Sequence, residues 1–243
     1  PGSGKSELLR QTALRWTTVP DAELTPIYLD LARLAGPVGA PLPDPADLVA
    51  RIPFCGALFR ATLTQLLLAL GRLDGAELPP DGLALSRLAE LCDDAALRPL
   101  LPPSVGHSFE RATPADWATL LSAASSLRLP RPAVLLDGAS GHCAAGPWLA
   151  LLAELAARSG CSLLIEDCAA HAADALPSLD SLEWLRLTPL EPAEAFELAH
   201  AIGRRRGWSL DAAASLSVLE RLGPWPGWVR AWAFQVRPDP THH

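Results

Sequence analysis

The chain has 243 residues, 49% of them hydrophobic, which allows one large domain or a core domain with a small satellite. With 27 acidic against 20 basic residues, a net charge of −7 and a pI of about 5.3, it lacks the overall basic surface that charge-driven nucleic-acid binding requires. Five scattered cysteines with no CxxC pair argue against a disulfide framework and for a reducing, cytoplasmic setting.

Nineteen of the 20 basic side chains are arginine, and the single lysine, Lys5, stands in the opening PGSGKS. In so arginine-rich a chain, a lone lysine points to a place where a compact ammonium serves and a planar guanidinium does not. From Lys5 to Trp16, Leu8, Leu9, Ala13 and Trp16 recur at helical spacing, and Pro20 closes the helix. TPIYLDL, residues 25–31, is short, apolar and free of glycine, which predicts a buried strand. Residues 36–53 carry Pro37, Pro41, Pro43, Pro45 and Pro53 and are expected to form a surface loop. Helices are predicted over 57–73 and 83–97, separated by DG and PP punctuation. Thr113 is placed to N-cap a helix with Pro114 at its first position, running to about Leu127.

The second half alternates. PAVLLDG (132–138) and CSLLIED (161–167) read as buried strands, with a helix between them over 148–157 and a last strand over 181–187. Strands alternating with helices predict an α/β fold with a parallel sheet covered on both faces. After Leu187 the pattern is helical only: Pro192 starts a helix with Gly207 at its C′ position, Ser209 caps a second that Gly223 stops, and WVRAWAFQV forms a third. The expected organisation is a core over 1–188, with a helical insertion near 54–112, and a helical lid over 189–243. No signal peptide and no apolar run of membrane-spanning length is read from the sequence, so no membrane partner is expected.

The chemistry starts at PGSGKS, a glycine-rich turn leading into an amphipathic helix. Gly4, Lys5 and Ser6 match the end of the phosphate-binding pattern G-x-x-x-x-G-K-[ST]. Gly2 and Gly4 let the backbone curl, with Ser3 between them, so that N–H groups converge on phosphate oxygens. The helix start, through Glu7, adds its positive dipole end there. Lys5 would reach the β- and γ-phosphates and Ser6 would ligate Mg²⁺. The pattern's first glycine falls before Pro1, so a longer natural chain with a preceding strand is expected, and His242 and His243 resemble a tag. AVLLDG delivers Asp137 to the C-terminal end of a buried strand, where a metal-assisting carboxylate belongs. A glycine turn beside a lysine, or a strand capped by aspartate, carries little alone; together they are informative.

With this order of elements the chain resembles P-loop ATPases of the AAA+ class, especially the STAND branch and its archaeal-ATPase and origin-recognition-like relatives, over nearly its whole length. The resemblance implies a three-layer αβα nucleotide-binding core followed by a small helical lid, with ATP and Mg²⁺ as cofactors. It implies binding roles for Gly2, Ser3, Gly4, Lys5, Ser6 and Glu7, catalytic roles for Lys5 and Asp137, and metal ligation by Ser6 and Asp137. In the lid, the turn of Gly223 and Pro226 would face the nucleotide and Arg230 would be the sensor-like cation; an ordinary helix connection with Trp225 in the core is the alternative.

Two departures weigh on hydrolysis. The glutamate that usually follows the metal-assisting aspartate is replaced by Gly138, and the sensor strand ends Glu166-Asp167. Asp30, Glu166 or Asp167 would have to act as base, or each is a local hydrogen-bond acceptor. The expectation is therefore an ATP-dependent switch or assembly unit with slow hydrolysis, acting on a protein partner or on itself through flanking domains. A recombinase-paralogue-like repair ATPase, with DNA as partner, and a non-catalytic nucleotide-holding scaffold are the alternatives. Arg204–Arg206 form a basic run best read as a helix end. His142, Cys143, Cys161, Cys168 and His171 match no standard zinc spacing.

Overall fold

The computed structural model describes residues 4–19, 23–35, 42–71, 100–101, 109–127, 129–139, 146–166, 187–207 and 211–235. The expected helix over 83–97, all but the last residue of the strand over 181–187, and Ser209 lie outside them. The chain divides into two compact units, one of residues 9–180 and one of residues 1–8 with 181–243.

The larger unit is mixed α/β. Strands β1 (Leu24–Asp30), β2 (Arg131–Asp137) and β3 (Ser162–Ile165) form a parallel sheet in that order. β2 is central and buried from Pro132 through Asp137, the signature of a parallel strand covered on both faces. In β1, Thr25, Ile27 and Leu29 are buried and alternate with half-buried Pro26, Tyr28 and Asp30. Helices α3 (Arg51–Ala69), α4 (Pro114–Ser126) and α5 (Gly146–Arg158) pack on β1, β2 and β3 respectively, and on one another in the same order. Their core is Leu58, Phe59, Leu63, Leu66, Leu120, Leu121 and Leu149, with Trp117 and Trp148 fully buried. The Trp117 indole N–H is satisfied by Thr62 Oγ1 at 2.8 Å, as burial of that donor demands.

Two expectations are corrected here. Helix α3 begins at Arg51 rather than near 57, with Pro53 inside it. Proline is tolerated there because first-turn N–H groups have no carbonyl partner. The same helix is long and apolar enough to cross a membrane, contrary to the reading of the sequence, but 56% of its apolar window is buried against protein. The Thr113 cap is as predicted: its hydroxyl accepts from the Asp116 N–H at 3.2 Å, while Asp116 accepts from the Thr113 N–H at 2.8 Å. A short helix, α2 (Leu31–Ala35), follows β1 directly.

The smaller unit holds the first residues of α1 (Lys5–Thr18) together with α6 (Pro192–Arg205), α7 (Ala212–Leu222) and α8 (Pro226–Gln235). Ala195, Ala199, Leu219, Val229 and Ala233 form its core, with Phe196, Ile202 and Trp232 packed around them. Small residues at 195, 199 and 233 let α6 and α8 approach closely. Gly207 and Gly223 stand just beyond α6 and α7 in the left-handed conformation, as their positions predict.

Candidate functional site

Gly4 is the residue before helix α1. Its φ of +83° suits glycine, and a Cβ placed there would come within 3.2 Å of the Pro226 Cβ. The Gly4 carbonyl accepts the Leu8 N–H at 2.8 Å, so Lys5, Ser6 and Glu7 make the first turn of α1. Three residues past Pro226, in α8, Val229 is buried in the core of this unit, and Arg230 beside it points outward. Arg230 Nη1 lies 3.3 Å from Glu7 Oε2, and its guanidinium sits over the Phe234 ring at 5.8 Å. Both ends of that ion pair are about half exposed, 54% for Arg230 and 43% for Glu7. Within one unit, the structure thus joins Gly4 and Glu7 to Pro226 and Arg230, segments more than two hundred residues apart. Gly2 and Ser3 lie outside the described residues.

Asp137 belongs to the larger unit. It closes β2, pairs in register with Asp30 of β1, and is only 3% exposed. One carboxylate oxygen, Oδ1, accepts the N–H of Gly138 at 2.9 Å. The other, Oδ2, accepts the Tyr28 hydroxyl and lies 3.8 Å from Nη2 of Arg10. Arg10 Nε in turn donates to the Tyr28 oxygen at 3.1 Å. Tyr28 reaches Asp137 because the register sets it opposite Leu135, two residues earlier on the same side of the pleat. Burial, then the hydrogen bond to Asp137, push the Tyr28 hydroxyl up to about 12.

The remaining acids divide. Asp30 Oδ1 accepts from the Ala32 N–H at 3.0 Å and Oδ2 lies 3.7 Å from Arg33 Nε. Gly138, at φ +79°, has Asp30 Oδ1 3.8 Å from where its Cβ would be. Glu166 is buried and continues the ladder beyond β3, its N–H donating to Leu136 O at 2.8 Å. Asp167 lies outside the described residues, as do His142, Cys143, Cys168 and His171. Among the described residues no group of three or more His, Cys, Asp or Glu is arranged to hold a metal ion.

Sequence reasoning missed Arg10 and Tyr28. Tyr28 is the only tyrosine in the chain and sits two residues before a strand-end aspartate, which is a visible signal. That it faces Asp137 depends on strand register, which the sequence does not print. No protein-family model, curated protein or solved structure matches the chain.

Proposed function

We propose that the chain is an ATP-binding P-loop module of the AAA+/STAND kind, in which a helical lid responds to the bound nucleotide. One observation carries the reading: within one unit, Gly4 lies against Pro226 and Glu7 pairs with Arg230 at 3.3 Å. A lid arginine beside a phosphate-binding turn is the arrangement that such a switch needs.

The residues fit the ligand. At Gly4 a side chain would crowd Pro226 and strain a left-handed backbone, so the position is suited to glycine, as a phosphate-binding turn requires. The first turn of α1 offers the positive end of a helix dipole, Lys5 an ammonium and Ser6 a hydroxyl. Arg230 holds the exposed carboxylate of Glu7, and a phosphate at the turn competes with Glu7 for the same guanidinium. Exchange of that partner changes what anchors α8, and so links nucleotide state to the lid. A bound magnesium ion would neutralise phosphate charge, with the Ser6 hydroxyl as the group of this turn to hold it.

Titration of fluorescently labelled ATP and GTP into the purified chain tests this. Lys5→Ala is expected to weaken ATP binding by about tenfold or more, a loss of ~1.4 kcal/mol or more. Equal binding by Lys5→Ala, or none by the parent chain, rejects the reading.

The Asp137 geometry favours a second reading, a module that holds nucleotide without hydrolysing it. Both carboxylate oxygens are taken by the chain's own donors, and Gly138 supplies no base. Nucleotide that co-purifies and releases no phosphate on incubation is the expected sign of this behaviour, and sustained phosphate release excludes it.

A further inference from the structure

We propose that Asp137 is a structural acid and not a metal ligand, and that it ties α1 to β1 and β2 through Arg10 and Tyr28. The inference concerns the larger unit alone and holds whether or not nucleotide binds.

A carboxylate this deeply buried must be compensated. Here the chain's own donors do so, and they come from three elements. Gly138, just past β2, gives its N–H to Oδ1 at 2.9 Å. Oδ2 accepts the hydroxyl of Tyr28 in β1, and Arg10 of α1 donates through Nε to that hydroxyl at 3.1 Å. The hydrogen bonds run one way, from guanidinium to hydroxyl to carboxylate, and Arg10 Nη2 stands 3.8 Å from the acid. This donor set does not fit a divalent cation, which needs a cage of oxygens with their lone pairs turned inward. Donors point at Asp137 instead, and the guanidinium beside it repels a second cation. Asp30, opposite Asp137 in the register, is itself engaged by the Ala32 N–H and Arg33. A second observation says what the donor set is for. Leu9 is the one buried residue of α1, and Leu14 is 56% exposed. Little apolar burial holds this helix, so the polar chain through Arg10 becomes a main part of its attachment to the sheet.

Amide hydrogen exchange tests the tie. Asp137→Asn and Arg10→Gln are each expected to speed exchange in α1 from Gln11 onward by about tenfold. The double variant should add little to the faster of the two, since both cut one chain of bonds. Arg10 is 56% exposed, so Arg10→Gln leaves the core intact and carries the test should Asp137→Asn fail to fold. Unchanged exchange in Arg10→Gln overturns the proposal, and so do effects of the two substitutions that simply add. The metal is read at Tyr28, the chain's one tyrosine, through the single fluorine NMR signal of 3-fluorotyrosine. With ATP absent or present, that signal is expected to respond to Mg²⁺ no more in the parent chain than in Asp137→Asn. A response to Mg²⁺ that Asp137→Asn abolishes places the ion at the acid and overturns the proposal. Both readouts are also taken without nucleotide, so a chain that binds no ATP rejects the nucleotide reading alone.

Discussion

Tyr28 shows how far one side chain can be driven by its surroundings. Burial is the larger cause of its raised value and the bond to Asp137 the next; Arg10 pulls the other way. The folded value of about 12 lies above the ordinary 10.0, so the neutral hydroxyl contributes stability that is complete below pH 10 and is lost as pH rises toward 12. At pH ~11 the unfolded tyrosine is roughly nine-tenths ionised and the native one roughly one-tenth. Absorbance at the tyrosinate band, compared with and without denaturant at that pH, should show this difference from one residue. Asp137→Asn should bring the native titration lower. The thiols of Cys55 and Cys161 are pushed up to about 11 by burial as well, which makes them inert structural residues.

At the scale of elements, β1 is the first strand of the sheet among the described residues, and a side chain meets its outer edge. Gln65 of α3 accepts the Tyr28 N–H through Oε1 and donates through Nε2 to the Tyr28 carbonyl, both at 2.6 Å. A carboxamide so placed does what a fourth strand would do for that residue, and blunts an edge that could pair with another chain. Gln65→Leu should destabilise the fold by about 1–3 kcal/mol, because two backbone groups lose their partners. Denaturant unfolding measures that loss, and faster amide exchange at Tyr28 should accompany it. A loss under half a kcal/mol, with exchange unchanged, would mean water replaces the glutamine. The backbone that Gln65 grips also carries the hydroxyl at Asp137, so the element and the site share one support.

At the scale of the whole molecule, each unit has its own core. The helical unit relies on alanines where α6 meets α8, and Ala199 is wholly buried. Ala199→Leu should overpack that contact, at about 1–3 kcal/mol, and open α6, α7 and α8 to limited proteolysis while α3, α4 and α5 stay resistant. Much of this organisation was legible from residue order. The Thr113 and Pro192 helix starts, the Gly207 and Gly223 stops, the strand ending at Asp137 and the existence of the strand that carries Leu163 and Leu164 follow from local chemistry: capping, proline's fixed φ, glycine's left-handed freedom and the length of apolar runs. The early start of α3 was not legible, because proline in a first turn looks like a loop until the helix around it is seen. What the sequence determined by itself is thus where most elements lie, and that a glycine, a lysine and a serine stand together at positions 4 to 6, ahead of and into a helix. Which of them share a neighbour was decided only by tertiary structure. Strand register brings Tyr28 to Asp137, and the fold of the smaller unit brings Glu7 to Arg230, since both meetings join residues far apart in the chain through packing that no local pattern records.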